Sequence, residues 1–170
     1  KTDNFEATPV KFVVTAANAE HRVVHELNAE VAAREYASSI GLMLDDLSPL
    51  SFASYPLVVK VGSDYYCRSI RNVNADGSLS FYCAIDEGLV FTLARLKDML
   101  RSTQQKLEEV DMSLDGIDIV IGFECVLRRL DAENRQVMRQ MEELYKRYGV
   151  VGFHTYGEQL NAMHLNQTLT

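Results

Sequence analysis

Near residue 93 the apolar period of the chain changes from two to about 3.6, a change that restricts the fold because the first period builds sheet and the second builds helix. Before that point apolar residues alternate. Val10 to Ala16, a turn at Asn18 and His21 to Leu27 predict an opening hairpin. Pro56 to Val61, Tyr65 to Val73 and Leu79 to Ile85 predict a meander whose second turn is Asp76-Gly77, with a further strand at Leu89 to Leu93. Leu79, Phe81, Cys83 and Ile85 are expected to face the core. One helix interrupts the strands. Asn28 is expected to cap it, Ala32, Ala33, Tyr36, Ala37 and Ile40 share its buried face, and Gly41 suits its exit. Asp45 to Pro56, with its prolines and serines, predicts a loop containing one short turn of helix.

After the change, Leu96, Leu100, Leu107 and Val110 predict a long amphipathic helix ending near Asp111. Ile117 to Phe123 is apolar on both faces, as in a central strand. Asp131 is expected to cap the next helix, whose buried stripe is Val137, Met141, Leu144, Tyr145 and Tyr148, and a last strand begins near Gly149. The predicted fold is α+β, with a mixed, mainly antiparallel sheet flanked by helices and a helix-strand-helix-strand C-terminal part. The last two long strands flank a helix that can cross over between them, which would bring their ends together. No internal repeat is apparent.

With 170 residues, 47% of them hydrophobic, the chain can bury the core of a single domain spanning 1–170. A start at Lys1 and a closing run, Asn166 to Thr170, that reads as strand predict a piece of a longer protein. The formal charge of −7 disfavours nucleic acid and anionic lipid as partners. No apolar run approaches the ~20 residues that span a bilayer, since Asp118 interrupts even Ile117 to Phe123. Nor is there a signal-peptide pattern. Cys67, Cys83 and Cys125 are odd in number and form no CxxC pair, which argues against a disulfide framework or structural zinc and for a reducing cytoplasm. A two-residue Asp76-Gly77 turn would set Cys67 opposite Asp86, away from Cys83.

Two segments carry more polar groups than core strands need, since each buried polar group must find a partner. One is Gly122-Phe-Glu-Cys-Val-Leu-Arg-Arg129; the other runs from Gly149 to Thr170 and includes Gly152-Phe-His-Thr-Tyr-Gly-Glu-Gln159 and Asn161-Ala-Met-His-Leu-Asn-Gln-Thr168. These motifs, with weaker support from His25 to Asn28 and Asp86 to Gly88, resemble the C-terminal half of the FIST sensory domain family over nearly the whole chain. The resemblance implies an intracellular input domain of bacterial signal transduction that binds small ligands such as amino acids. It implies a partner such as a histidine kinase or a cyclic-dinucleotide enzyme, and an N-terminal FIST domain missing from this chain. It also implies an alternative, because some family members carry haem and report nitric oxide to a partner histidine kinase.

From the residues themselves, Arg128 or Arg129 could hold a carboxylate by a two-pronged bond, or simply pair with Asp131 and Glu133. Glu158 could hold an ammonium, or be an exposed turn carboxylate. Tyr156 and Asn166 would add neutral hydrogen bonds, and Gly152 and Gly157 would allow close backbone approach. His154 reads as a half-buried sheet residue. His164 fits the family pattern and is the candidate haem ligand, noncovalent because no CxxCH motif is present; its plain alternative is a histidine bonded within the sheet. His21 and His25, near a hairpin turn, need only solvent. A Cys125 nucleophile with His154 or His164 as base is the enzyme alternative, weighed against a small core cysteine. A pure interaction module would use the helix from Leu96 to Val110, but Gln104, Lys106, Glu108 and Glu109 read as solvated. The expected ligand-binding set is therefore Arg128, Tyr156, Glu158, His164 and Asn166, with no catalytic or metal-binding residue assigned.

Overall fold

The computed structural model describes residues 2–160 and 163–170, with backbone alone at Asp3 and Leu160. Asn161 of the C-terminal motif lies outside the described residues. In chain order the elements begin with β1 (Thr2–Asp3), β2 (Phe5–Asn18), β3 (Val23–Leu27), β4 (Glu30–Val31) and α1 (Ala32–Ile40). A 3₁₀ turn (Leu44–Asp46), α2 (Pro49–Ser54), β5 (Leu57–Val61), β6 (Asp64–Cys67), β7 (Ile70–Val73), β8 (Leu79–Phe81) and β9 (Val90–Leu96) follow. The remainder is α3 (Met99–Ser113), β10 (Val120–Cys125), α4 (Val126–Asn134), α5 (Met138–Arg147), β11 (Val150–Thr155), β12 (Glu158–Leu160), β13 (Met163–Leu165) and β14 (Thr168–Leu169). The class is α+β with mainly antiparallel sheet, as the pattern predicts. The chain divides into two compact units, one formed by Glu6–Arg95 and the other by Lys1–Phe5 with Leu96–Thr170.

The 6–95 unit is a curled sheet in the order β6-β5-β9-β2-β3-β8-β7, with β4 added beside β3. Its two end strands, β6 and β7, are separated in sequence only by Arg68 and Ser69, so the sheet must bend round to bring its ends together. The stretch Tyr65 to Val73, expected as one strand, is thus a corner. Arg68 N–H bonds to the Leu57 carbonyl on one side, and Tyr82 N–H bonds to the Ser69 carbonyl on the other. Cys67 consequently pairs with Val58, not across the Asp76-Gly77 turn. The last predicted strand of the meander ends at Phe81, although Ile85 beyond it is still buried.

Inside the curl, Phe12, Leu27, Leu57, Phe81 and Phe91 pack against the α1 face carrying Ala32, Ala33 and Tyr36. The Tyr36 hydroxyl donates to the Tyr55 carbonyl at 2.8 Å, and burial pushes its pKa far above the ordinary phenol value. Gly41 closes α1 in the left-handed region at φ 71°, as expected. Asn28 does not cap the helix. It sits in a turn at φ 53°, where its side-chain oxygen accepts from Val13 N–H and its amide donates to Glu35, while Val31 occupies the cap position.

In the other unit β1, β14, β10 and β11 form a sheet in that order. β10 and β11 run parallel, Val120 beside Val150 through Cys125 beside Thr155, joined by α4 and α5 as the expected crossover. α3 starts after Leu96, which lies in β9, and Asp98 caps it by accepting from Arg101 N–H. Asp131 is not a cap: it lies within α4, buried, and pairs with Arg135 at 2.8 Å; α5 begins only at Met138. β10 is central as predicted, but only one face of the parallel pair is covered. Ile119, Ile121, Phe123, Val151 and Phe153 are 38–65% exposed, and Phe123 meets Phe153 edge to face at 5.2 Å.

Candidate functional site

A short pattern recurs in the two parallel strands, Val-Ile-Gly-Phe-Glu from Val120 and Val-Val-Gly-Phe-His from Val150, and the register sets the copies side by side. Gly122 therefore lies beside Gly152. A Cβ built on Gly152 would fall 1.7 Å from the Gly122 carbonyl oxygen, so the close approach of the two chains requires glycine there. On the same face, two residues further on, Glu124 lies beside His154.

Those positions border two hollows. One, of about 180 Å³, has Gly122, Gly152, Val150 and Leu169 in its wall, and the other, of about 250 Å³, has Ala132, Met138, Met141, Arg129 and Glu142. Glu124, Tyr145 and His154 border both. The Tyr145 hydroxyl donates to Glu124 Oε1 at 2.6 Å, and Arg128 Nε donates to the same oxygen at 3.1 Å. His154 Nδ1 stands 3.5 Å from Glu124 Oε2. Burial is the main reason the Tyr145 phenol titrates well above its usual range, so it remains a donor at neutral pH.

Arg128, expected to hold a ligand carboxylate, is 1% exposed. Its guanidinium bonds to Glu124, to Thr103 Oγ1 at 2.8 Å and to Asn4 Oδ1 at 3.5 Å, so it stands behind the hollows as the counter-charge of Glu124. Arg129 is the guanidinium at the rim, paired with Glu133 at 2.8 Å.

The other expected residues gather around the β12–β13 hairpin. Glu158 is buried and accepts from the hydroxyls of Thr155 and Thr168, the latter at 2.8 Å. Burial raises its carboxyl pKa while those two hydroxyls oppose the rise. Asn166, fully buried, donates to the Tyr156 carbonyl at 3.2 Å, and its side-chain oxygen meets His164 Nε2 at 3.1 Å. Tyr156 itself is 74% exposed. The site residues thus fall into an internal hydrogen-bonded hairpin, a buried arginine and an exposed tyrosine. Neither of the two hollows is bordered by His164, whose ring is packed against Gly157 and whose Nε2 is engaged with Asn166. Cys125 is fully buried and its thiol pKa is pushed up by that burial, the opposite of what a nucleophilic thiolate needs.

Reading the sequence for conspicuous polar clusters missed Glu124 and Tyr145 and discounted His154. The repeated Val-x-Gly-Phe-x pattern was the available signal, because it aligns the strands and so pairs Glu124 with His154.

No helix among the described residues is long and apolar enough to cross a membrane. No curated protein and no solved structure matches the chain. The FIST C domain matches residues 32–161, more than half of the 170 residues and parts of both units. The chain therefore belongs to the FIST C domain family, a family of sensory domains.

Proposed function

We propose that this chain is a small-ligand-binding input domain of bacterial signal transduction, with an amino acid as ligand, and that the ligand occupies the hollows at the ends of β10 and β11. The observation that carries the reading is the convergence of Glu124, Tyr145 and His154 on two adjoining hollows, one of them floored by glycine backbone. Sites of this kind combine an apolar lining with a few oriented polar groups. Arg128 contributes from behind by fixing Glu124, while Glu158, His164 and Asn166 hold the turn that carries Tyr156 toward solvent at the end of β11. The family is a sensory one and not a family of enzymes.

Occupancy reaches a partner, such as a histidine kinase or a cyclic-dinucleotide enzyme, only if the ligand favours one of two conformations of the domain. Cys67, Cys83 and Cys125, present as thiols, suit a reducing cytoplasm, and on the same reading the chain works beside an N-terminal FIST domain.

A thermal-shift screen against the common amino acids tests this. A ligand at about 100 times its Kd adds about 2.7 kcal/mol, a rise of roughly 5–10 °C in a chain of this size. The rise should shrink in His154→Ala and disappear in Glu124→Gln. An unmoved midpoint across all amino acids would end the amino-acid reading.

A further inference from the structure

The charges around the larger hollow say which end of a ligand it recognises. Each nearby guanidinium has an acidic partner: Arg128 has Glu124, Arg129 has Glu133 at 2.8 Å, and Arg135 has buried Asp131 at 2.8 Å. Recruiting any of them to a ligand carboxylate would cost an existing ion pair. The acceptors are differently placed. Glu124 spends Oε1 on Tyr145 and Arg128, while among the described residues Oε2 has His154 Nδ1 as its only ion-pair partner, at 3.5 Å, which is beyond a good hydrogen bond. Glu142, exposed at the rim, supplies a second carboxylate. The same hollow is lined by Ala132, Met138 and Met141, apolar and adaptable in shape.

The geometry points to an organic ammonium as the ligand class: a primary amine with a short apolar chain, its –NH₃⁺ held at Glu124 Oε2, its chain lying on Met138 and Met141, and Glu142 at the rim adding a weaker, solvated attraction. This rests on the proposed sensory site and narrows it, since the α-carboxylate of an amino acid becomes dispensable. An ammonium suits Glu124 Oε2 because it is a compact cation with three donors, and the volume of about 250 Å³ limits the chain to a few carbons.

Calorimetric titration of the full chain with a matched set of probes decides it. n-Butylamine and norvaline share the ammonium and the same chain, and only norvaline carries a carboxylate; pentanoate carries the carboxylate and lacks the ammonium. The expected result is saturable binding of butylamine and norvaline within about threefold of each other and none of pentanoate. Glu142→Gln, a change at an exposed position, should weaken butylamine roughly threefold, the size expected for one solvated ion pair. Glu124→Gln should weaken it tenfold or more, with folding checked by circular dichroism. Binding of norvaline without butylamine would overturn the amine class and leave the amino-acid sensor standing. Failure of both, beside stabilisation by another amino acid in the thermal-shift screen, would do the same. Failure of both with no amino acid active would remove both readings.

Discussion

Glu158 shows how far the surroundings of a polar residue can differ from what its neighbours in sequence suggest. Its position after Gly157 suggested an exposed turn carboxylate or an ammonium ligand, whereas the chain folds it under the turn, against Thr155 and Thr168. Its carboxyl pKa is raised chiefly by burial. A raised acid pKa means that the folded state holds its proton more tightly than the unfolded chain does. Its effect therefore favours folding below the unfolded value, near 4.3, and is progressively lost as pH climbs through the higher folded value. Glu158→Gln removes this dependence. In denaturant titrations from pH 4 to 7.5 the wild type should lose stability relative to Glu158→Gln as pH rises, and parallel curves would show that the carboxyl is not perturbed. Burial of this kind is hard to foresee, because the groups that satisfy Glu158 lie on β11 and β14 and the alternation along its own strand does not reveal them. The burial of Arg128 is as hard to foresee: its partners Thr103 and Asn4 are 25 and 124 residues away.

Among the elements, the β10–β11 pair was the most legible. Both strands and the crossover between them follow from apolar pattern and segment length, and the repeated Val-x-Gly-Phe-x motif would have given the register as well. Gly152→Ala tests how tightly that register is held. With the new methyl 1.7 Å from a backbone oxygen, the strands must part. We expect a loss of about 3 kcal/mol or more, in the range of severe overpacking, read from the urea midpoint. A loss under 1 kcal/mol would mean the strands are not so closely apposed. Less legible was the corner at Arg68 and Ser69, because Tyr65 to Val73 alternates much as one strand would and only closure of the sheet decides that it breaks. Asn28 was misplaced by local chemistry as well: a good capping residue was taken by a turn that used the same side-chain oxygen for Val13.

For the whole molecule the telling feature is the connection between units. The sheet containing β10 and β11 takes its edge strand β1 from the start of the chain and pairs it with β14 at the end, so Thr2 faces Leu169 across ninety intervening residues of a different unit, Glu6–Arg95. That unit leaves and rejoins the chain at nearly one point, since Lys97 N–H bonds to the Asn4 carbonyl at 2.6 Å. In the vocabulary of protein engineering, residues 6–95 are an insert with adjacent ends, the arrangement most tolerant of excision and grafting. Replacing 6–95 by a short Gly-Ser loop should leave a chain that unfolds cooperatively and retains butylamine binding, because every residue bordering the two hollows lies outside the insert. A product with no cooperative transition would show that the ligand-bearing unit needs the insert to fold. A cooperative one would give a sensor of about half the length, with a site for splicing in a reporter domain whose output follows the ligand.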